Sequence, residues 1–86
     1  MPEISRFFGI VIRMYFGDHA PPHFHAEYAD HRAVIGIQTL VVIGGSLPPR
    51  ALGLVIEWAS QYREELSDLW QRAANQQPLH RLPPLQ

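Results

Sequence analysis

Alternation of apolar and polar residues in the first half of the chain predicts β-strands. From Phe8 to Phe16 every second residue is apolar, a period typical of a strand with one buried face. One long strand is therefore predicted over residues 4–16. The same pattern predicts further strands at about residues 23–28, 32–38 and 40–43. Because the links are short and parallel neighbours need a longer crossover, the pattern favours an antiparallel meander of three or four strands within residues 4–43.

The second half of the chain has the periodicity of a helix. Apolar residues recur at intervals of three and four, which predicts one long C-terminal helix over about residues 47–75 that packs against the sheet. Ser46 is the expected N-cap, and prolines follow in the first turn, where a missing amide hydrogen costs little. Pro78 ends the helix, and residues 78–86 are expected to be extended. The predicted fold class is α+β, with residues 1–86 forming a single domain.

The predicted helix is long for the sheet that it would cover. At 1.5 Å per residue it would extend roughly 40 Å, more than a four-stranded sheet of ordinary strands covers comfortably. Leu54 and Trp58 also fall outside its main apolar stripe. Together these features suggest a partner surface at Leu54 and Trp58 for a small protein or a second copy of the chain, although single exposed apolar residues are common in proteins without partners.

Composition narrows the range of functions. The 86 residues include seven arginines, no lysine and eight acidic residues, for a formal charge of −1. Nucleic-acid binding is possible, but this balance does not support it, because such proteins usually carry a basic surplus. The chain has no cysteine, which excludes disulfides and thiolate metal sites. No apolar run approaches the roughly 20 residues that span a bilayer, so no membrane association and a cytoplasmic location are expected.

Side chains that are suited to catalysis or metal binding concentrate between Asp18 and Glu27, around a Pro-Pro turn. Side chains two apart on a strand share a face, so His23, His25 and Glu27 should point to one side of the predicted strand, with apolar residues on the other. A row of ligand-capable side chains would then lie back to back with an apolar row. This pattern locates a candidate working surface without naming a reaction.

Three interpretations of the histidine cluster are open. In the first, a divalent transition metal such as zinc is the cofactor, held by His23 and His25 with a third ligand from Asp18, His19 or Glu27. In the second, His23 or His25 acts without metal as a general acid or base tuned by Asp18 or Glu27, as in phosphodiester cleavage. In the third, the histidines are half-exposed residues with only structural hydrogen bonds.

Arginines on the predicted strands offer a weaker candidate site. Arg6, Arg13 and Arg32 could lie near one another across paired strands and receive a phosphate or a partner's carboxylate. Arginines scattered over a solvated sheet face are nevertheless common.

Four parts of the chain have a distinctive sequence: residues 2–15, Asp18-His19, residues 21–28 with a Pro-Pro-His-Phe-His core, and residues 47–52 with 57–59. On these residues the chain resembles, over essentially its whole length, a small bacterial family, domain of unknown function 4160. The resemblance implies a small bacterial protein with no established activity, often encoded beside a protein of domain of unknown function family 2442, as in toxin–antitoxin pairs. The basic segment typical of the family's C-terminal end is reduced here to residues 80–83, which weakens any inference that the tail binds nucleic acid.

These observations predict one component of a two-protein, toxin–antitoxin-like module with a His-rich ligand-binding or active face. The alternative is a metal-dependent or His-dependent phosphodiester hydrolase of the nuclease type. For the hydrolase, the candidate catalytic residues are His23, His25 and Glu27, and the candidate metal ligands are Asp18, His19, His23 and His25.

Overall fold

A computed structural model describes residues 2–86 as a five-stranded antiparallel sheet and two helices. The strands follow one another in the sheet in chain order, as a meander, and both helices follow the last strand. The elements are β1 (Glu3–Phe7), β2 (Ile10–Arg13), β3 (His23–Tyr28), β4 (His31–Gly36), β5 (Val42–Ser46), α1 (Pro49–Gln61) and α2 (Arg63–Ala74). The α+β class and the antiparallel meander are confirmed, whereas the predicted strand number and the single helix are wrong in detail.

The predicted first strand is two strands joined by a tight hairpin. Phe8 and Gly9 form the two-residue turn between β1 and β2, and both have positive φ, +50° and +80°. Positive φ at both central positions is the signature of a type I′ turn, which matches the twist of the flanking strands. Phe8 has the strained conformation there, since left-handed backbone costs a non-glycine residue roughly 1–2 kcal/mol. The residue is 61% exposed instead of lying on the predicted apolar face.

The last strand lies further along the chain than predicted, because its glycines continue the pairing with β4. β5 includes Gly44 and Gly45. Gly45 has a φ of +68°, and a Cβ there would collide with the carbonyl oxygen of Arg32, so only glycine fits. Ser46 is consequently a strand residue and not the helix N-cap, a position that Pro48 occupies without a side-chain cap hydrogen bond.

The single predicted helix is broken at Tyr62. This residue leaves helical geometry, with φ of −122° and ψ of 26°, and its N–H bonds the carbonyl of Ala59 three residues back. Nearby, the Ser60 hydroxyl donates to the carbonyl of Glu57 at 2.7 Å, a bond that competes with helix hydrogen bonding and bends helices. The two helices are about 20 and 18 Å long, within a molecule whose longest extent is 33 Å. The excess helix length that suggested a partner is therefore absent.

Trp58 is the centre of the core and not part of an exposed patch. Its ring is fully buried and packs against Phe7 at 5.4 Å, Phe24 at 6.0 Å and Tyr62 at 5.6 Å between ring centroids. The expected partner surface is thus wrong for Trp58, because this residue belongs to the buried stripe of α1, which consists of Ala51, Val55, Trp58 and Ala59. Leu54 is half-buried against the edge of the core.

The extended tail docks on β1. The Leu82 N–H donates to the carbonyl of Ile4 at 2.7 Å, and Leu82 and Leu85 are buried. The Pro83 carbonyl accepts hydrogen bonds from the Trp58 indole N–H at 2.8 Å and from the Ser5 hydroxyl at 3.4 Å.

An ion pair fastens the tail at the surface. Arg81 lies 2.9 Å from the Glu3 carboxylate, which also binds Arg6 at 2.8 Å. Hydrogen bonds from Arg6 and then from Arg81 lower the pKa of Glu3 to about 2. Within residues 2–86, neither helix is long and apolar enough to cross a bilayer.

We expect Leu82→Ala to lower the free energy of unfolding by about 2 kcal/mol, because it removes a buried side chain and leaves a cavity. Leu79→Ala is the matched control in the same tail, since Leu79 is only partly buried, and should cost less than about half of that amount. Chemical denaturation followed by tryptophan fluorescence measures both. Equal effects of the two substitutions would contradict tail docking as part of the core.

Candidate metal centre

Three side chains with metal-ligating atoms converge beside the start of β3. His23 and His25 belong to β3, and Asp18 belongs to the loop that leads from β2 into it. The ligand-capable atoms of the three residues all lie within 4.8 Å of one another. The opposite face of β3 carries Phe24 and Ala26, both fully buried. The predicted division of this strand into a ligand-capable and an apolar face is confirmed.

A single carboxylate oxygen joins the two imidazoles. Asp18 Oδ2 lies 2.9 Å from His23 Nε2 and 3.1 Å from His25 Nε2. The backbone N–H of His19 donates to the other oxygen of Asp18 at 3.1 Å. Partial burial raises the pKa of Asp18, but the hydrogen bonds from His25, His23 and the His19 backbone outweigh it, so the pKa lies below its ordinary value. The carboxylate is therefore charged at neutral pH.

The protonation of the His23 ring is constrained by its neighbours. Nδ1 lies 2.7 Å from the carbonyl oxygen of Pro21, and because a carbonyl only accepts hydrogen bonds, Nδ1 carries the proton. In the neutral ring, Nε2 then presents a lone pair to the Asp18 carboxylate. Two acceptors at 2.9 Å repel each other unless a proton or a metal cation lies between them. His23 and Asp18 are thus arranged to share a positive charge.

The spacing of these atoms suits a small metal ion. Zinc bonds to imidazole nitrogen and carboxylate oxygen are about 2.0–2.1 Å, so two ligand atoms of a tetrahedral site are roughly 3.3 Å apart. The observed separations from Asp18 Oδ2, 2.9 and 3.1 Å, are close to this value. Small outward shifts of the side chains would admit the ion. Metal-binding histidines also usually donate the second ring N–H to a backbone carbonyl, as His23 does to Pro21.

Aromatic neighbours hold the two imidazoles in place. The Trp70 ring from α2 packs against His23 at 5.0 Å, and Tyr15 meets His25 edge-on at 4.5 Å. The His23 side chain is only 9% exposed, whereas those of His25 and Asp18 are 26% and 27% exposed. The cluster is therefore anchored on the His23 side and open to solvent on the other, where a substrate or water can reach it.

Two of the predicted site residues lie outside the cluster. The structure does not place the imidazole of His19 among the clustered ligand atoms, so His19 is not one of the candidate ligands that the fold brings together. The His19 side chain is exposed, and its contribution is the backbone N–H to Asp18. Glu27 shares the strand face of His25 but lies two residues further along and pairs with Arg13 at 3.3 Å. That pairing separates Glu27 from the three clustered residues.

Sequence reasoning missed the residues that support the cluster. Residue 70 falls within the apolar periodicity of the predicted helix and residue 15 within the predicted first strand, and neither is predicted to contact the histidines. Helical spacing placed Trp70 on the buried side, but no local signal indicated that its ring would cover His23. The break at Tyr62 and the loop before β3 bring these distant segments together.

The family model for domain of unknown function (DUF4160) matches residues 9–71. The match covers most of the 86-residue chain and includes all three clustered residues as well as Trp70. The chain belongs to the DUF4160 family. The resemblance seen in the sequence is thereby confirmed. No curated protein and no solved structure matches the chain.

We expect nitrogen NMR of metal-free protein to show the proton of His23 on Nδ1, because the Pro21 carbonyl requires a donor there. Long-range ¹H–¹⁵N correlation spectra after treatment with a chelator report the ring state directly. His31 is the control, since its ring is exposed and bonds no carbonyl in residues 2–86. A His23 ring with an unprotonated Nδ1 would contradict this assignment.

Proposed function

We propose that this DUF4160 protein binds a divalent transition-metal ion, zinc in the first place, through Asp18, His23 and His25, and hydrolyses phosphodiesters with it in the bacterial cytoplasm. One observation carries the proposal: a buried imidazole, its Nδ1 committed to the Pro21 carbonyl, turns its other nitrogen toward a carboxylate oxygen at 2.9 Å. A cation between these two atoms satisfies both of them.

The donor set favours a transition metal over magnesium or calcium. Two imidazole nitrogens suit zinc, iron, nickel or copper, whereas magnesium and calcium prefer oxygen ligands. Two histidines and one carboxylate are also the protein ligands of catalytic zinc sites that keep a fourth position for water. The exposed sides of His25 and Asp18 would supply that access.

Asp18, His23 and His25 would hold the zinc ion, which would supply a nucleophile at neutral pH by lowering the pKa of a water molecule. The arginines near the cluster would hold the anionic substrate. Arg13 is the register partner of His25 across β2 and β3, and Arg32 is the register partner of Glu27 on β4. Directly paired residues of neighbouring strands project to the same face. Arg13 and Arg32 therefore lie on the face that carries His25.

We expect zinc-reconstituted wild type to retain about one metal ion per chain after dialysis, and the double variant His23→Ala/His25→Ala to retain little, because two of three ligands are lost. Elemental analysis of untagged protein measures zinc, iron, manganese and nickel together. The matched control is His31→Ala/His80→Ala, which removes two exposed histidines outside the cluster. Equal metal content in both double variants would contradict the site.

The same preparations test the reaction class. Zinc-loaded wild type and the control should hydrolyse bis(p-nitrophenyl) phosphate, and the His23→Ala/His25→Ala variant should not. Arg32→Gln should raise KM more than it lowers kcat, because it weakens binding of the phosphate. Stoichiometric metal without any hydrolysis of this ester or of a short RNA would refute the hydrolase and leave the metal site standing.

A second candidate function is favoured by the open edge of the sheet. The tail covers β1, but β5 has pairing partners on one side only among residues 2–86. Beside this edge, Val41 and Ile43 are 56% and 49% exposed, and residues 39–46 carry no charge. Natural edge strands usually carry charges or prolines that prevent pairing. We propose on this basis that a small protein, such as the one encoded beside members of the family, adds a strand to β5 in a two-protein module of the toxin–antitoxin type.

We expect co-expressed neighbour protein to co-purify with the wild type and to be lost with Ile43→Lys, because a charge on the edge opposes strand addition. Phe16→Lys is the matched control, since Phe16 is a similarly exposed apolar residue, 43%, outside β5. Light scattering of the isolated wild type shows whether a second copy occupies the edge instead. Retention of the neighbour by Ile43→Lys would refute pairing through β5.

A further inference from the structure

A second concave site lies at the far end of β3 from His23. It is an open cavity of about 350 Å³ where the end of β3 meets the start of α1, lined by Phe8, Ile10, Tyr28, Ala51, Leu54 and Arg50. This volume lies within the range of small-molecule pockets, roughly 300–1,000 Å³. Tyr28 is five residues beyond His23 on β3, about 16 Å along the strand. The cavity is thus separate from the metal centre.

Neither the backbone conformation nor burial explains why a phenylalanine occupies position 8, at the rim of this cavity. The φ of Phe8, +50°, lies in the left-handed region, where asparagine, aspartate or glycine is normally found in such a turn. Phe8 is 61% exposed, so packing of its side chain contributes little to offset the strain of its backbone. Strained residues persist where they serve a function. An apolar group that covers the ring would account for phenylalanine at this position.

The positive charge of Arg50 at the cavity favours a ligand that carries an anionic group beside its apolar part. Arg50 is the one charged residue among the described residues that line it. In residues 2–86, the arginines that form ion pairs are Arg6, Arg13, Arg72 and Arg81, so Arg50 has no carboxylate partner there. The adjoining first turn of α1 contains no acidic residue and has no side-chain cap. An anionic group at this end of the cavity would complement both features.

We propose that this cavity binds a small organic acid. Its apolar chain or ring lies against Phe8, Tyr28 and Leu54, and its carboxylate pairs with Arg50. The volume fits a small molecule better than a protein surface, which is usually flatter and larger. This binding site is independent of the proposed metal centre and of the β5 edge.

Titration with octanoate, followed by ¹H–¹⁵N NMR of the full-length protein, tests the site. Octanoate should shift the amide signals of Ile10, Tyr28 and Ala51 and leave that of His25 unchanged. Octylamine has the same chain and the opposite charge, and it should bind at least about fivefold more weakly because it meets Arg50. Equal binding of the two probes, or no shift with octanoate, would overturn the proposal.

Two variants separate ligand binding from folding. Arg50→Gln should raise the Kd for octanoate about tenfold, because a charge-assisted hydrogen bond is lost. Arg63→Gln is the matched control at the start of the other helix and should leave the Kd unchanged. Phe8→Asn should weaken octanoate binding while raising the midpoint of urea unfolding, since asparagine tolerates the left-handed conformation.

The outcomes of these variants decide the assignment. Unchanged Kd in both Arg50→Gln and Phe8→Asn would overturn it. Tighter binding of a short peptide that ends in a free leucine carboxylate than of octanoate would overturn the assignment of a small-molecule ligand in favour of a protein C-terminus.

Discussion

The buried indole of Trp58 joins the sheet, helix α1 and the C-terminal tail. Its ring contacts β1 through Phe7 and β3 through Phe24, and its N–H donates to the Pro83 carbonyl of the tail. A buried aromatic side chain removes roughly 150–250 Å² of surface from water, and a buried indole N–H needs an acceptor. The tail supplies that acceptor. The same segment therefore covers the edge strand β1 and satisfies the polar group at the centre of the core.

The candidate metal centre depends on a different constraint, the commitment of His23 Nδ1 to the Pro21 carbonyl. That bond leaves Nε2 facing a charged carboxylate, and Trp70 prevents the ring from turning away because it packs on the imidazole. A pair of groups that needs a proton or a metal cation between them is therefore built into the rigid part of the fold, while His25 and Asp18 keep it open to solvent. Rigid support on one side and access on the other suit metal-assisted hydrolysis.

Much of the fold follows from local patterns in the sequence. Strand β3 has the predicted boundaries, the antiparallel meander and the α+β class are as expected, and the apolar face of the helical region lies on the sheet. Two of the errors are at Phe8 and Tyr62, residue types that are unusual in a tight turn and at a helix end. Phenylalanine disfavours positive φ, and tyrosine does not end helices, so propensity predicted continuation at both positions. The whole sheet and core decide these turns, because each reversal lets apolar residues on both sides reach the same interior.

The sequence by itself determined which residues are available for chemistry, since alternation along β3 sets His23 and His25 on one face and Phe24 on the other. It did not determine which third side chain joins them. Asp18, His19 and Glu27 were equal candidates, and spacing alone could not separate the three. Only the tertiary structure made the choice: the loop before β3 folds Asp18 onto both imidazoles, and Arg13 on the neighbouring strand pairs with Glu27. Contacts between strands and loops fix such pairings, because a side chain's partner depends on distances that local sequence periodicity does not encode.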